Sequence, residues 1–373
     1  MNSLEVRKKT ITNIHESEFK FVIVSSGGGS NAIGSLLKVP GASNSILEAY
    51  IPYAKESLDF YLMKKPESYC SLDTTTRMAA RAYSAAKKID QKTNIEQLFG
   101  VAISATLSTN YEKKGSHRFH IAVQTRDFSQ SISCILNKGQ RTREEEEELV
   151  TEFVIALISD CCGFEFKYPE IKEDVEHIQI PAQKGWADLM SEKIKFVTSS
   201  NQQPKLIFPG AFNPMHDGHI AMSELANKEL SEEVFFEICI QNVDKPPLSY
   251  HQIKKTIDQF TDSKNWVLTK AGKFSDKAKL FPNSTFIIGA DTLVRIFDER
   301  FYASRREMME EFEIFNANNN NFLVFGREYK NKFIELNDIQ VPDSIKSRFR
   351  GFGENIFRKD VSSSTIRAQN SEE

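Results

Sequence analysis

Two imidazoles three residues apart, set among glycines, occupy the stretch LIFPGAFNPMHDGH (206–219) of this 373-residue chain. Gly210 permits a tight turn and close approach of backbone to a ligand, and Gly218 lets a following helix begin hard against that ligand. Ala211, Phe212 and Pro214 fill the turn between them. A helix that starts beyond the carboxyl end of a strand points unpaired N–H groups and a partial positive charge at anions. His216 and His219 fall in the first turn of such a helix, and each can donate to a phosphate oxygen. A single histidine here reads as a satisfied loop residue, whereas two within one glycine frame favour phosphate binding over a metal pair or a base with its orienting partner.

The elements that must position this turn follow from the periodicity after Lys205. Strand KLIFP, helix GHIAMSELANKEL, strand VFFEICIQNV, helix SYHQIKKTIDQF, strand WVLTKA, helix SDKAKLF, strand STFIIGAD, helix TLVRIF and strand NFLVFG alternate regularly. Repeated crossover of this kind predicts a doubly wound, Rossmann-like parallel sheet over residues 204–370, with helices on both faces. Residues 18–163 mix short apolar runs with helical stretches and predict a separate α/β domain. Residues 164–203 are polar, are punctuated by Pro169 and Pro181 and end in a Ser/Asn/Gln tract, which predicts a linker with Trp186 docked somewhere along it. The tract NANNNN (316–321) reads as a short low-complexity loop.

Bulk composition excludes several function classes. The chain is 40% hydrophobic and 27% charged, which is ordinary globular composition long enough for two cores. A formal net charge of −3 gives no global attraction to phosphate polymers, so a nucleic-acid partner is not expected. The five cysteines (Cys70, Cys134, Cys161, Cys162 and Cys239) are odd in number and lack C-x-x-C spacing, against a disulfide framework or a zinc site. No segment approaches the roughly 18 apolar residues of a membrane span, and the N-terminus lacks a leader's apolar stretch. The expectation is a protein of the cytoplasm or nucleus that does not engage membranes, with self-association left open.

The spacing G-x-F-x-P-x-H-x-G-H, met by Gly210, Phe212, Pro214, His216, Gly218 and His219, resembles the signature of the HxGH nucleotidylyltransferase superfamily. A second signature of that superfamily, I-S-S-T-x-I-R, is matched by VSSSTIR (361–367), with Ser364 where threonine is usual. Within the superfamily, FIIGADTL (286–293), FLVFGRE (322–328) and NVDKPPLS (242–249) resemble segments of nicotinamide and nicotinate mononucleotide adenylyltransferases. The resemblance implies an in-line transfer of AMP from Mg²⁺-bound ATP to a pyridine mononucleotide, releasing pyrophosphate. It implies that His216 and His219 meet the ATP phosphates and that Arg367 with Ser363 takes the β and γ phosphates. Lys245 would take the mononucleotide phosphate, Gly210, Ala211, Phe212, Gly218, Gly289, Asp291, Ser362, Ser363, Ser364 and Thr365 would contact the nucleotide, and Arg327 matches the arginine that ends the family's late strand. Amide and acid mononucleotides both stay open. So do a cytidylyl transfer to another phosphorylated alcohol and a catalytically silent nucleotide sensor.

The segment VIVSSGGGSNAIGSLLKVPGAS (22–43) resembles the C-terminal domain of the CinA family of nicotinamide mononucleotide amidohydrolases. Ser26 falls on the family's serine and Tyr53 on its tyrosine, and with Gly28 they would line the N-terminal pocket. The family's lysine falls near Leu58, with Lys55 three residues early, and its GIAGP is replaced by ATLST (105–109). A serine hydroxyl needs such a partner for activation. The resemblance therefore implies a ligand pocket, or a degenerate deamidase, ahead of an active hydrolase. Lys113, Lys114, His117, Arg118, His120, Arg141 and Arg143 either line an anion site there or form a solvated charged surface with Glu144 to Glu148.

Overall fold

The computed structural model describes residues 3–111, 113–165, 167–241, 246–260, 264–359, 361 and 363–370. The chain divides into two compact units, one of residues 1–191 with 243–254, the other of residues 192–242 with 255–373.

The first unit begins with α1 (Ser3–Glu16), which precedes the domain start expected at 18. It is followed by β1 (Lys20–Gly27), α2 (Asn31–Lys38), α3 (Ala42–Ser45), β2 (Ile46–Tyr50), α4 (Lys55–Leu62) and α5 (Leu72–Ile89). Next come β3 (Leu98–Thr106), β4 (His117–Gln124), β5 (Phe128–Leu136), α6 (Arg143–Cys161), β6 (Val175–Pro181) and α7 (Trp186–Met190). The strands form one sheet in the order β2-β1-β3-β4-β5-β6, parallel among β2, β1 and β3 and antiparallel beyond. Phe21 and Phe99 stack at 4.9 Å between ring centres in its core. Helix α5 starts where the Ser71 hydroxyl accepts the Thr74 N–H, and α6 on a capping box between Thr142 and Glu145. Gly100 of β3 lies so close to α5 that any Cβ would strike the helix backbone at Ala79 and Tyr83.

The linker expected over 164–203 is instead structured. β6 is the edge strand of the first sheet, and its alternating half-buried and exposed residues explain why its sequence looks like a polar connector. Pro181 is tolerated at the end of an edge strand. Trp186 is 1% exposed and lies 5.6 Å from the Tyr250 ring, within the same unit. The boundary between the units falls at 191/192.

The second unit holds β7 (Phe196–Thr198), β8 (Leu206–Pro209), α8 (Asp217–Leu230) and β9 (Val234–Cys239), then α9 (Tyr250–Ile257), β10 (Asn265–Thr269) and α10 (Phe274–Leu280). The first five residues of α9 count with the other unit. There follow β11 (Thr285–Gly289), α11 (Ala290–Ile296), α12 (Arg305–Ala317), β12 (Asn321–Phe325), the hairpin β13 (Arg327–Tyr329) and β14 (Lys332–Ile334), β15 (Phe349–Phe352) and α13 (Ser363–Asn370). Sheet order is β15-β12-β11-β8-β9-β10-β7, parallel except for β7. The chain winds outward from β8 through β9 and β10, then returns to β11 on the other side of β8. The switch point of this doubly wound sheet therefore lies between β8 and β11, where ligands of such sheets bind.

Two details show the sheet's ends being held by side chains. The asparagine tract works as a built cap: Asn318 donates to Ile314 O at 2.9 Å, and the buried Asn320 to Phe281 O at 2.8 Å. Glu237 of β9 and Lys277 of α10 form a buried ion pair at 2.7 Å, and the Lys277 ammonium also donates to Ala271 O at 2.6 Å. The Glu237 carbonyl in turn accepts the Gly210 N–H at 3.0 Å, so this pair stands directly behind the glycine turn.

Candidate active site

The turn from Gly210 to His216 leaves the carboxyl end of β8, at the switch point, and delivers His216 to the N-cap of α8. Phe212 anchors it. This residue has φ 43° and is 1% exposed, with its ring edge-on to Phe208, Phe236, Phe260 and His219. Its side chain, expected among the nucleotide contacts, is instead enclosed by these aromatic neighbours and packs the turn. Gly210 has no room for a side chain, since a Cβ would meet the Phe212 ring. Ala211 is exposed.

The two imidazoles stack at 3.7 Å between centres, inclined by 21°. The His216 N–H donates to His219 Nδ1 at 3.4 Å. His216 is 8% exposed, yet neither of its ring nitrogens has a hydrogen-bond partner among the described residues. Buried polar atoms are nearly always satisfied, so two orphaned nitrogens on one ring require an explanation. They border a small open cleft lined by His216, Gly218, Gly289, Gly326, Arg327 and Lys359, with Met222, Phe325 and Phe357 as its apolar wall. A Cβ at position 218 would lie 3.0 Å from His216 Nδ1, so the glycine keeps that edge of the ring clear.

Burial lowers the affinity of both rings for a proton. Burial, then the neighbouring His216 and Arg327, pushes His219 down to about 3. His216 is lowered by burial and by Arg327, with Asp217 opposing. Asp291 Oδ1 is buried with no hydrogen-bond partner among the described residues and lies 3.9 Å from Arg327 Nε. Gly289, which precedes it, has no space for a Cβ because that carboxylate fills it. The cleft thus gathers the His216 imidazole and two cationic side chains, Arg327 and Lys359, with the Asp291 carboxylate beside Arg327, a set suited to phosphate oxygens.

The second signature does come to the first. Ser363 Oγ donates to Pro214 O at 2.8 Å and the Arg367 guanidinium donates to Asn213 O. Both were expected on the β and γ phosphates; here each holds the backbone of the histidine turn. Thr365 lies exposed on α13. Lys245, Ser362 and the side chain of Ser364 lie outside the described residues. Lys359 and Gln259 were missed by sequence reasoning, since a lone lysine and a glutamine at a polar helix end carry no motif. Gln259 donates to Phe212 O at 2.8 Å and accepts the Met215 N–H at 2.8 Å.

The glycine loop of the first unit is differently placed. Ser26 Oγ donates to Pro52 O at 3.1 Å, the Gly28 N–H to Ala105 O at 3.0 Å, and the Gly29 N–H to the Glu147 carboxylate. Tyr53 is 69% exposed, and Leu58, where the resemblance would put a lysine, is fully buried. The cations named as candidates there are mostly paired. His117 Nδ1 lies 2.8 Å from Glu146, Arg141 is 2.6 Å from Glu173, His120 meets Ser133 at 2.8 Å and Arg143 donates to Ser108 O at 3.2 Å. The acidic run is not simply solvated either, for Glu146 is fully buried and accepts the Ser108 N–H at 2.6 Å.

Residues 207–369 match the cytidylyltransferase-like family model. No curated protein sequence matches the chain. Among solved structures, the chain is similar to a competence or damage-inducible protein from Enterobacter asburiae (14% identity, 43% of this chain and 99% of that one, TM-score 0.36). It is also similar to a CinA superfamily protein from Klebsiella pneumoniae (13% identity, 44% and 99%, TM-score 0.35). A third is the nicotinic acid mononucleotide adenylyltransferase of Plasmodium falciparum complexed with NaAD (17% identity, 45% and 83%, TM-score 0.27). The part of the chain with its signature turn at the switch point of a doubly wound sheet, residues 207–369, is thus the part that is similar to the cytidylyltransferase-like family.

Proposed function

We propose that the protein transfers AMP from ATP to nicotinamide or nicotinate mononucleotide, giving the dinucleotide and pyrophosphate. The observation that carries the phosphate-binding part is the His216 ring, buried with both nitrogens unpartnered beside Arg327 and Lys359 in one cleft. The pyridine part rests on the GAD segment, which ends in Asp291, whose Oδ1 has no hydrogen-bond partner among the described residues, and on VSSSTIR, which meets the turn. In this reading an oxygen of the mononucleotide 5′-phosphate attacks the α-phosphorus of ATP in line. A new P–O bond forms as the bridge to the β-phosphorus breaks, and pyrophosphate leaves with the electron pair.

No protein nucleophile is needed, so catalysis consists of positioning and charge stabilisation. His216 and His219 donate to the α-phosphoryl oxygens, while Arg327 and Lys359 balance the triphosphate. Lys245 is assigned to the mononucleotide phosphate, and Arg367 and Ser363 keep the histidine turn in shape while facing the β and γ phosphates. Mg²⁺ enters as the ATP complex, held chiefly by phosphate oxygens, as is usual for this ion. Asp291, with its unpartnered Oδ1, is the carboxylate suited to it or to a ribose hydroxyl.

The family description keeps cytidylyl transfer as the competitor. Pyrophosphate release by the full-length protein, with ATP or CTP against both pyridine mononucleotides, separates the two. Release that needs ATP and a pyridine mononucleotide supports the proposal. Release with CTP alone, or nucleotide binding without release, contradicts it.

A further inference from the structure

The turn between β8 and α8 has no regular secondary structure, so its backbone polar groups must find partners elsewhere. Three successive carbonyls do so through side chains: Phe212 O takes Gln259, Asn213 O takes Arg367 and Pro214 O takes Ser363. The Met215 N–H, one residue before His216, donates back to Gln259 Oε1 at 2.8 Å. Gln259 alone therefore satisfies the turn at both ends, one acceptor and one donor three residues apart, and it belongs to neither signature. Its amide also lies 3.3 Å from Thr256 O, which fixes the side chain against its own helix end.

We propose that Gln259 is a positioning residue for nucleotidyl transfer, clamping the backbone from Phe212 to Met215 so that the His216 ring stays aimed into the cleft. The catalytic consequence rests on the transferase reading above, while the clamp itself does not. Misplacing a catalytic group by about 1 Å costs on the order of a hundredfold in rate. Gln259→Ala is expected to lower kcat by about that factor while KM for ATP stays near the wild-type value.

Gln259→Glu is nearly isosteric and guards against a simple folding failure. Its ionised carboxylate can accept the Met215 N–H but cannot donate to Phe212 O; once protonated it can do both. Activity of that variant relative to wild type should therefore recover as pH falls towards the ordinary carboxyl range of about 4 to 5. In the ligand-free, full-length protein, amide exchange at Met215 should be faster in Gln259→Ala than in wild type. Unchanged Met215 exchange, or unchanged kcat with an active wild type, overturns the proposal. An inactive wild type overturns the transferase reading instead, and the exchange measurement then decides the clamp, faster exchange sustaining it.

Discussion

Two glycine loops in this molecule follow a strand and lead into a helix, and they differ in what fills them. After β1, the Gly29 N–H is taken by the Glu147 carboxylate, Asn31 by Glu148 at 3.2 Å and Ser26 by Pro52 O. After β8, side chains likewise hold the turn's backbone, yet the His216 ring nitrogens and Asp291 Oδ1 have no hydrogen-bond partner among the described residues. A carboxylate is a serviceable substitute for a phosphate oxygen, so the first loop carries its own anion while the second is prepared for one from outside. Glycine content alone does not distinguish these cases; the fate of each polar group does.

The comparison is broken most severely through the frame behind the second turn. Removing one partner of a buried ion pair leaves the other charge stranded, at a cost of about 3 to 5 kcal/mol. Lys277→Ala should therefore destabilise the protein by about that amount in denaturant unfolding; a loss of only a few tenths would mean that the Glu237 pair does not brace the sheet end.

Next in size is the histidine pair. His219→Ala should lower turnover by about 10² to 10³, the range for a lost preorganised donor, with the fold intact by circular dichroism. Retained turnover in that variant would remove the imidazoles from the mechanism.

Acid stability sharpens the same point. His219 is held neutral in the folded protein at about 3, and His120 and His251 at about 4, chiefly by burial. The unfolded chain, titrating near 6.5, binds more protons at intermediate pH, so stability should fall as pH drops below about 6.5 and continue falling towards about 4. His219→Gln should make that fall shallower in thermal scans between pH 7 and 5; an identical slope would mean that the ring is not held neutral by its surroundings.

The smallest effect concerns the first loop. Glu147→Ala should cost about 1 to 3 kcal/mol of stability and let inorganic phosphate bind where wild type shows none by calorimetry. If wild type already binds phosphate at that loop, the internal carboxylate is no substitute for a ligand.

Much of the second unit was legible because its signals are local. Strand and helix alternate with clear periods, and the ten-residue histidine frame needs only its own residues to be recognised. What escaped depended on distant partners. Gln259 reaches the turn from 44 residues beyond Met215, and nothing in its neighbours marks it. Within Glu144 to Glu148, one acid is entombed beside His117 while its neighbours face a loop or solvent, a distinction set by tertiary packing and invisible in a run of identical residues. Phe212 looked like a ligand contact because it belongs to the signature, whereas its ring is the peg on which the turn is packed. The supposed linker misled in the opposite way, since an edge strand with one wet face has the composition of a connector.

The most direct test of the account is product identification. Full-length protein incubated with Mg²⁺, ATP and nicotinate or nicotinamide mononucleotide should form the corresponding dinucleotide, seen by mass, in step with one pyrophosphate per product, and His219→Ala should form almost none. Pyrophosphate with no dinucleotide, or dinucleotide formed equally by His219→Ala, would contradict it.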